Sequence, residues 1–437
     1  MRRRVSVLGS VALYALSLPT GRSYGFSSDT REVVRLDLTE CRARALANAP
    51  EIVSARADVD AARLGVNIAD RALLPTLTGE GGYLRSSVNR RGVPDFAANN
   101  GENEYVARGV VSAPLFMGGS LVAGQRKARA ERAAAEHGGE MARATVILDT
   151  DSAYFGLLAA EEQQSIAAAA KAIAGELLRR VRVRHDNGEV PAFDVGKFEL
   201  EVAQAKAAAD TAAGNVVITK TELGTLVSLS ADALEVIPVT VSDEGPALEP
   251  LETVVASGLE ARPDLRRLEN EAQALEDDVS IARAARLPQV RAGAAAGYDS
   301  LTLPDVRNDG WQAGVNLTVP IWNWGTLAAR EQIARLAVEK AQQRIVGARR
   351  AVTSEITRRY LEVKLARQQL DTAEAAGQLA RRNTEIARRG YELGLVSTLD
   401  LITSEHQATQ LASQRAAAAA DYHLARSRLD FAAGRLP

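Results

Sequence analysis

Residues 310–322 read Gly-Trp-Gln-Ala-Gly-Val-Asn-Leu-Thr-Val-Pro-Ile-Trp. Trp311, Ala313, Val315, Leu317, Val319 and Ile321 alternate with Gln312, Gly314, Asn316 and Thr318. A period of two places the first set on one face of an extended chain and the second set on the other. Just upstream, Val290, Ala292, Ala294, Ala296 and Tyr298 alternate with Gln289, Arg291, Gly293 and Gly297. Ribbons of about ten residues, apolar on one side and polar on the other, suit the wall of a membrane barrel with a wet interior. They also suit a soluble β-hairpin domain, and the alternation alone leaves both open.

The flanking text occurs twice. Pro50 and Pro75 are 25 residues apart, as are Pro263 and Pro288. Ala49-Pro50-Glu51-Ile52 aligns with Arg262-Pro263-Asp264-Leu265, and Leu74-Pro75-Thr76-Leu77 with Leu287-Pro288-Gln289-Val290. Further on the offset is 206: Pro114 with Pro320, Gly119 with Gly325, Tyr154 with Tyr360, Gly188 with Gly394, Asp194 with Asp400. The change from an offset of 213 means seven extra residues in the first copy, which belong in a loop. One long unit is therefore duplicated, and the fold should be pseudo-symmetric. The reading is a first repeat over 26–229, an inter-repeat segment over 230–250 and a second repeat over 251–437. Strands are expected at about 76–90 and 103–116, then 289–300 and 310–322.

Each strand pair is followed by a long stretch free of Pro: Gly119 to Asn187 and Gly325 to Leu393, 69 residues apiece. As helices (119–187 and 325–393) they would be ~100 Å long. Shorter helices follow at 191–229 and 397–434. The helix before the strands, Glu51 to Leu74, and the one after, Pro191 to Leu229, have 24 and 39 residues, so placed end to end they nearly match the long one. In the second copy Val363, Ala366, Leu370, Ala373, Gly377, Ala380, Thr384 and Ala387 step by three and four in turn, a heptad seam built from small side chains. Upstream, Val352, Ile356, Tyr360 and Val363 keep an 11-residue spacing that relaxes the left-handed supercoil.

Composition agrees with long helices in close contact. Ala supplies 79 of 437 residues, whereas aromatics make up only 4%; Ala is the best helix former and packs closely. A net charge of −2 argues against a nucleic-acid partner. The single Cys41 excludes a disulfide scaffold and a cysteine zinc site, and the four His are too dispersed for a compact metal motif. No catalytic residues, cofactor site or metal site can be assigned. At the start, Arg2, Arg3 and Arg4 precede an apolar stretch from Val5 to Leu18. That pattern fits a signal peptide over 1–25, with an N-terminal anchor as the alternative. Cys41 lies too far from it to carry a lipid.

Four strands cannot close a barrel, and open strand edges are not tolerated in lipid. Several chains must then pool their hairpins, with the helices running on as a tube. At this point the chain resembles the TolC family of outer-membrane efflux and secretion proteins, over roughly Leu36 to Leu436. The resemblance rests on the doubled helix–strand–strand–helix unit, the Ala-Pro-Glu-Ile and Leu-Pro segments, and Pro-Leu-Phe-Met-Gly-Gly at 114–119. The turns at 187–194 and 393–400 complete it. It implies an α+β membrane protein: a homotrimer with a 12-stranded β-barrel and a long α-helical coiled-coil tunnel. A mixed equatorial domain would be drawn from 230–250 and the C-terminal stretch. It also implies an outer-membrane, non-lipidated exit duct of a tripartite efflux or type I secretion system, docked on a periplasmic adaptor and an inner-membrane pump.

By the same resemblance, Gly188, Glu189, Val190, Gly394, Leu395 and Val396 form tips that meet the adaptor. Asp400 falls on the constriction aspartate, Thr403 on the second ring position, and Asp194 and Tyr391 on residues linking neighbouring coils; Val396 stands where the family has an arginine. Asp194 and Asp400 also read as helix N-caps. Tyr83, Tyr105, Phe116, Tyr298, Trp311, Trp322 and Trp324 lie towards strand ends, where an aromatic girdle facing outer-membrane lipid would sit. The competing reading is a soluble periplasmic coiled-coil adaptor or scaffold. The Arg pairs at 179–180, 349–350 and 381–382 read as solvated helix faces.

Overall fold

A computed structural model describes residues 34–85, 103–238, 248–300 and 309–436. The signal segment expected at 1–25, and positions 86–90 of the first strand, lie outside the described residues. A short strand β1 (Val34–Leu36) leads to helices α1 (Leu38–Asn48) and α2 (Pro50–Arg71), then to β2 (Thr76–Arg85) and β3 (Asn103–Met117). The long α3 (Ser120–Asp186) follows, then α4 (Ala192–Val227) and β4 (Leu234–Val236). The second copy runs α5 (Leu251–Ala261), α6 (Pro263–Ala284), β5 (Gln289–Ser300), β6 (Asp309–Thr318), α7 (Thr326–Glu392) and α8 (Thr398–Ala432).

Local chemistry sets the boundaries. Asp37 accepts from the Glu40 N–H while Glu40 accepts from the Asp37 N–H, a reciprocal cap on α1. Pro50 and Pro263 open α2 and α6, where a missing N–H costs no helical bond. Strand β6 stops at Thr318 rather than at 322. Pro320 has no N–H to offer a ladder, so the alternation of Val319 and Ile321 continues in sequence but not in pairing.

The sheet order is β2-β3-β5-β6, all antiparallel. The attached helices touch in the same order, α2-α3-α6-α7, and on the far side of the molecule's waist the order is α4-α3-α8-α7. Both β2 and β6 are edges with no further partner among the described residues. The waist is held by a parallel pair, Val34↔Leu234 to Leu36↔Val236, which joins the N-terminal segment to the inter-repeat segment. The resemblance draws this region from 230–250 and the C-terminal stretch; the parallel pair brings residues 34–36 into it.

Two cores flank the waist. One gathers Leu36, Cys41, Tyr154, Leu223 and Leu234; the other gathers Val254, Leu265, Ile356, Val363 and Leu429. Burial pushes the Cys41 thiol up to about 11, so it stays a protonated packing group. The seam read from sequence is buried from Val352 through Thr384 and packs largely on α8.

The strand-to-helix junctions repeat as well. Gly118 and Gly119 both take positive φ; their counterparts, 206 residues on, are Trp324 at φ 54° and Gly325 at φ 79°. A bulky residue in the left-handed region is strained. Trp324→Asn, which tolerates that region, should therefore raise the stability of detergent-solubilised protein by about 1 kcal/mol in denaturant titration. An unchanged or lowered midpoint would mean that the indole recovers the strain through contacts within the chain.

Candidate gate, tips and barrel wall

The two helical reversals are built alike. At the end of α3, Gly188 takes φ 80°, its N–H bonds His185 O and the Glu189 N–H bonds Arg184 O. At the end of α7, Gly394 takes φ 75°, its N–H bonds Tyr391 O and the Leu395 N–H bonds Gly390 O. Both are Schellman motifs, which need a residue free to adopt positive φ. The first tip is reinforced by His185 Nδ1–H donating to Val190 O at 2.8 Å and Arg184 donating to Glu189 at 3.0 Å. Leu393, Leu395, Leu399 and Phe193 stand outward, Leu395 at 79% exposure, so the tips end in apolar side chains.

Beneath the tips, Leu177, Val181, Phe198, Tyr391 and Leu401 form a small core, with Val396 packed against it. Val396 also closes on Gly390, where an added Cβ would lie 2.5 Å from its methyl group. Tyr391 meets Phe198 edge-on at 6.5 Å and lies under the Arg184 guanidinium at 5.2 Å. Its hydroxyl is buried without a hydrogen-bond partner among the described residues. Asp194 instead pairs with Lys197 of its own helix at 3.2 Å.

Asp400 and Thr403 are both exposed on the first turns of α8. The N-cap reading of the two aspartates is corrected. Ser397 caps α8, accepting from the Asp400 N–H at 3.2 Å and donating to the Asp400 carboxylate at 2.7 Å. Pro191 occupies the cap of α4 without a side-chain bond. Both aspartates sit three residues inside, where a carboxylate still faces the positive end of the helix.

Several polar contacts that the sequence did not reveal tie the coils together here. Arg388 grips Glu405 with both nitrogens, joining α7 to α8, the longer contact being 2.8 Å. Arg180 reaches Glu392 at 2.7 Å across α3 and α7, and His406 reaches Glu201 at 2.7 Å across α8 and α4. Arg180 and Arg349 belong to pairs expected on solvated helix faces; Arg349 in fact reaches Glu269 of α6 at 2.7 Å. Their exposure is real, but each has a partner on another helix. At the upper end of α7, Glu331 is held by Arg335, Arg286 and Arg283, which bring its carboxyl down to about 2.

On the sheet, the registers place Leu77, Tyr83, Tyr105, Ala107, Val111, Val290, Tyr298, Trp311, Val315 and Leu317 on one face. The other face holds Thr76, Thr78, Glu80, Arg108, Ser112, Arg291, Gln312 and Asn316. Tyr83 and Tyr105 lie directly opposite one another near the hairpin end, their rings 4.9 Å apart. Tyr298 and Trp311 lie on the same face a little below them. Phe116, Trp322 and Trp324 mark the helix-proximal end, the two indoles meeting edge-on at 5.6 Å. The aromatic side chains thus form two bands separated by small and aliphatic residues. Among the described residues no helix is long and apolar enough to cross a membrane, and no His, Cys, Asp and Glu side chains gather into a metal-holding group.

The model of the outer membrane efflux protein family matches residues 42–228 and 254–435, which are the two repeats without the segment between them. The chain is 26% identical over 391 residues to the pyoverdine export outer membrane protein OpmQ of Pseudomonas aeruginosa, covering 86% of this chain and 79% of OpmQ. It is 23% identical over 413 residues to the outer membrane protein TolC of Vibrio cholerae, covering 92% and 91%. Among solved structures, the CmeC outer membrane channel of Campylobacter jejuni has a TM-score of 0.79 at 22% identity, over 91% of this chain and 85% of that one. The outer membrane protein VceC of Vibrio cholerae has a TM-score of 0.77 at 21% identity, over 91% and 96%. Two matched repeats spanning most of the sequence, on a fold of four strands continued by long helices, decide between the two readings left open by the alternation. The chain belongs to the outer membrane efflux protein family, and it is an outer-membrane channel rather than an enzyme or a soluble adaptor.

Proposed function

We propose that three copies close edge to edge into one passive duct from the periplasm to the exterior. The observation that carries this is the shared lateral order of strands and helices, which leaves two complementary open edges. One edge is β2 with α2 and α4, where Val53, Leu64, Ile68, Leu200 and Val217 are exposed. The other is β6 with α7, where Ile333, Leu336, Leu361 and Leu365 are exposed. An edge that differs from its mate makes a head-to-tail contact, and such contacts close into a ring where the rotation between neighbours divides a full turn. Four strands from each of three chains make a barrel of twelve, with the polar face inward. The apolar tips suit docking on a periplasmic adaptor, through which the duct would serve an inner-membrane pump.

In that assembly Asp400 stands on the inner coil, and three copies form a ring of like charge that attracts cations. The test is made on full-length protein from outer-membrane fractions. It should migrate as a heat-modifiable trimer and conduct ions in planar bilayers. Asp400→Ala should reduce cation selectivity and weaken block by multivalent cations; unchanged selectivity would remove Asp400 from the gate. A monomeric product without pores would overturn the duct itself.

A further inference from the structure

The polar face of the sheet carries its charge unevenly along the strands. Near the middle, Glu80 and Arg108 stand opposite one another in register and pair at 2.8 Å. Towards the hairpin end, Glu104 holds a position on the same face. Towards the helices the face carries Arg291, between Pro114 of β3 and Asn316 of β6. Arg291 is exposed, and no ion pair engages it among the described residues. With Ser112, Gly293, Gln312, Gly314 and Asn316 it lines a concavity of about 430 Å³. Gly293 and Gly314 face each other across β5 and β6, and a Cβ added at Gly314 would meet nothing within 4 Å. A charged fork thus projects beside a stretch of backbone that no side chain covers.

We propose that Arg291, with Asn316 opposite it and Ser112 one step along the same face, is a binding position for anionic groups at the helix-proximal mouth of the barrel lumen. The proposal rests on the reading that copies of the chain close one barrel with this face inward, so that the position recurs three times around the passage. A guanidinium presents two parallel N–H groups that match carboxylate, phosphate or sulfonate oxygens. The Asn316 amide and the Ser112 hydroxyl can donate to the same anion. The wall around the position is low in dielectric, which strengthens a field that open water would weaken. At physiological salt the reach is about 8 Å, so the ring acts on groups passing along the wall. A cargo leaving the helical tunnel would meet acid at the gate and base at the barrel mouth, an arrangement that favours zwitterions, whose two charges each find a partner along the path.

The test uses full-length trimers in planar bilayers, with inorganic pyrophosphate added on the side of the hairpin loops. Wild-type pores should be blocked in a concentration-dependent way. Arg291→Gln should raise the half-blocking concentration by about tenfold or more, the scale of one hydrogen-bonded charge contact. Arg291→Lys, which keeps the charge, should keep most of the block. Conductance of each variant reports assembly separately. Pores of Arg291→Gln that are blocked like the wild type would overturn the anion position. Preparations that form no pore at all, wild type included, would instead overturn the closed barrel on which it rests.

Discussion

Gly297→Val should leave no assembled pores. An added Cβ at this position would overlap the Ala107 carbonyl oxygen and lie 2.5 Å from Arg108 Cα. Both are backbone atoms, so no rotamer change relieves the overlap. Gly297 pairs with Arg108 in the β3–β5 ladder, the only ladder joining the hairpin of one repeat to the hairpin of the other among the described residues. Forcing those strands apart leaves two separate hairpins, each marginal alone and each with extra unpaired backbone in lipid. The heat-modifiable trimer and the bilayer conductance should both disappear, while far-ultraviolet circular dichroism keeps its helical signal. Trimers of normal yield would show that the ladder can bend around a side chain at 297.

Asp151→Ala should cost about 3 kcal/mol or more. Asp151 lies on α3 with a side chain of 0% exposure, and Arg42 of α1 holds both of its oxygens at 2.6 Å. Removing the carboxylate leaves the guanidinium in a half-buried position at the waist with its charge uncompensated. Asp430 is the nearby carboxyl, and burial pushes its pKa up, so it is a poor substitute. Exchanging both partners for apolar side chains, Arg42→Met with Asp151→Leu, should recover most of the loss, because the penalty is for a lone charge. Urea titration of purified protein reads both. A single variant within about 0.5 kcal/mol of the wild type would place the pair among ordinary surface contacts.

What could be seen beforehand was what repeats at short range. The alternation from Trp311 to Leu317 and the seam from Val352 to Thr384 are periodic over many residues, and the structure pairs the one and buries the other. The pair of β1 and β4 was invisible because each strand has three residues, too few for a period, and their partners are 200 positions apart. Arg42, Arg180 and Arg349 look like any charge on an amphipathic helix until the neighbouring helix is placed. The cap of α8 does have a signal in the sequence: Ser397 stands three residues before Asp400, the spacing of a capping box. The roles given to Asp400, Thr403, Asp194 and Tyr391 depend on where neighbouring copies lie, and no period within one chain encodes that.

Since each of β2, β3, β5 and β6 continues into a helix in the same lateral order, each copy in the proposed ring would be a single stave from rim to tip. A ring of such staves has one kind of joint, and that joint runs its whole length. In such a ring, loosening the joint near the tips would be felt at the hairpin loops, and a substitution that tightens it at any height would stiffen the entire pipe. Tuning how readily the lower end opens therefore need not involve residues at the lower end at all.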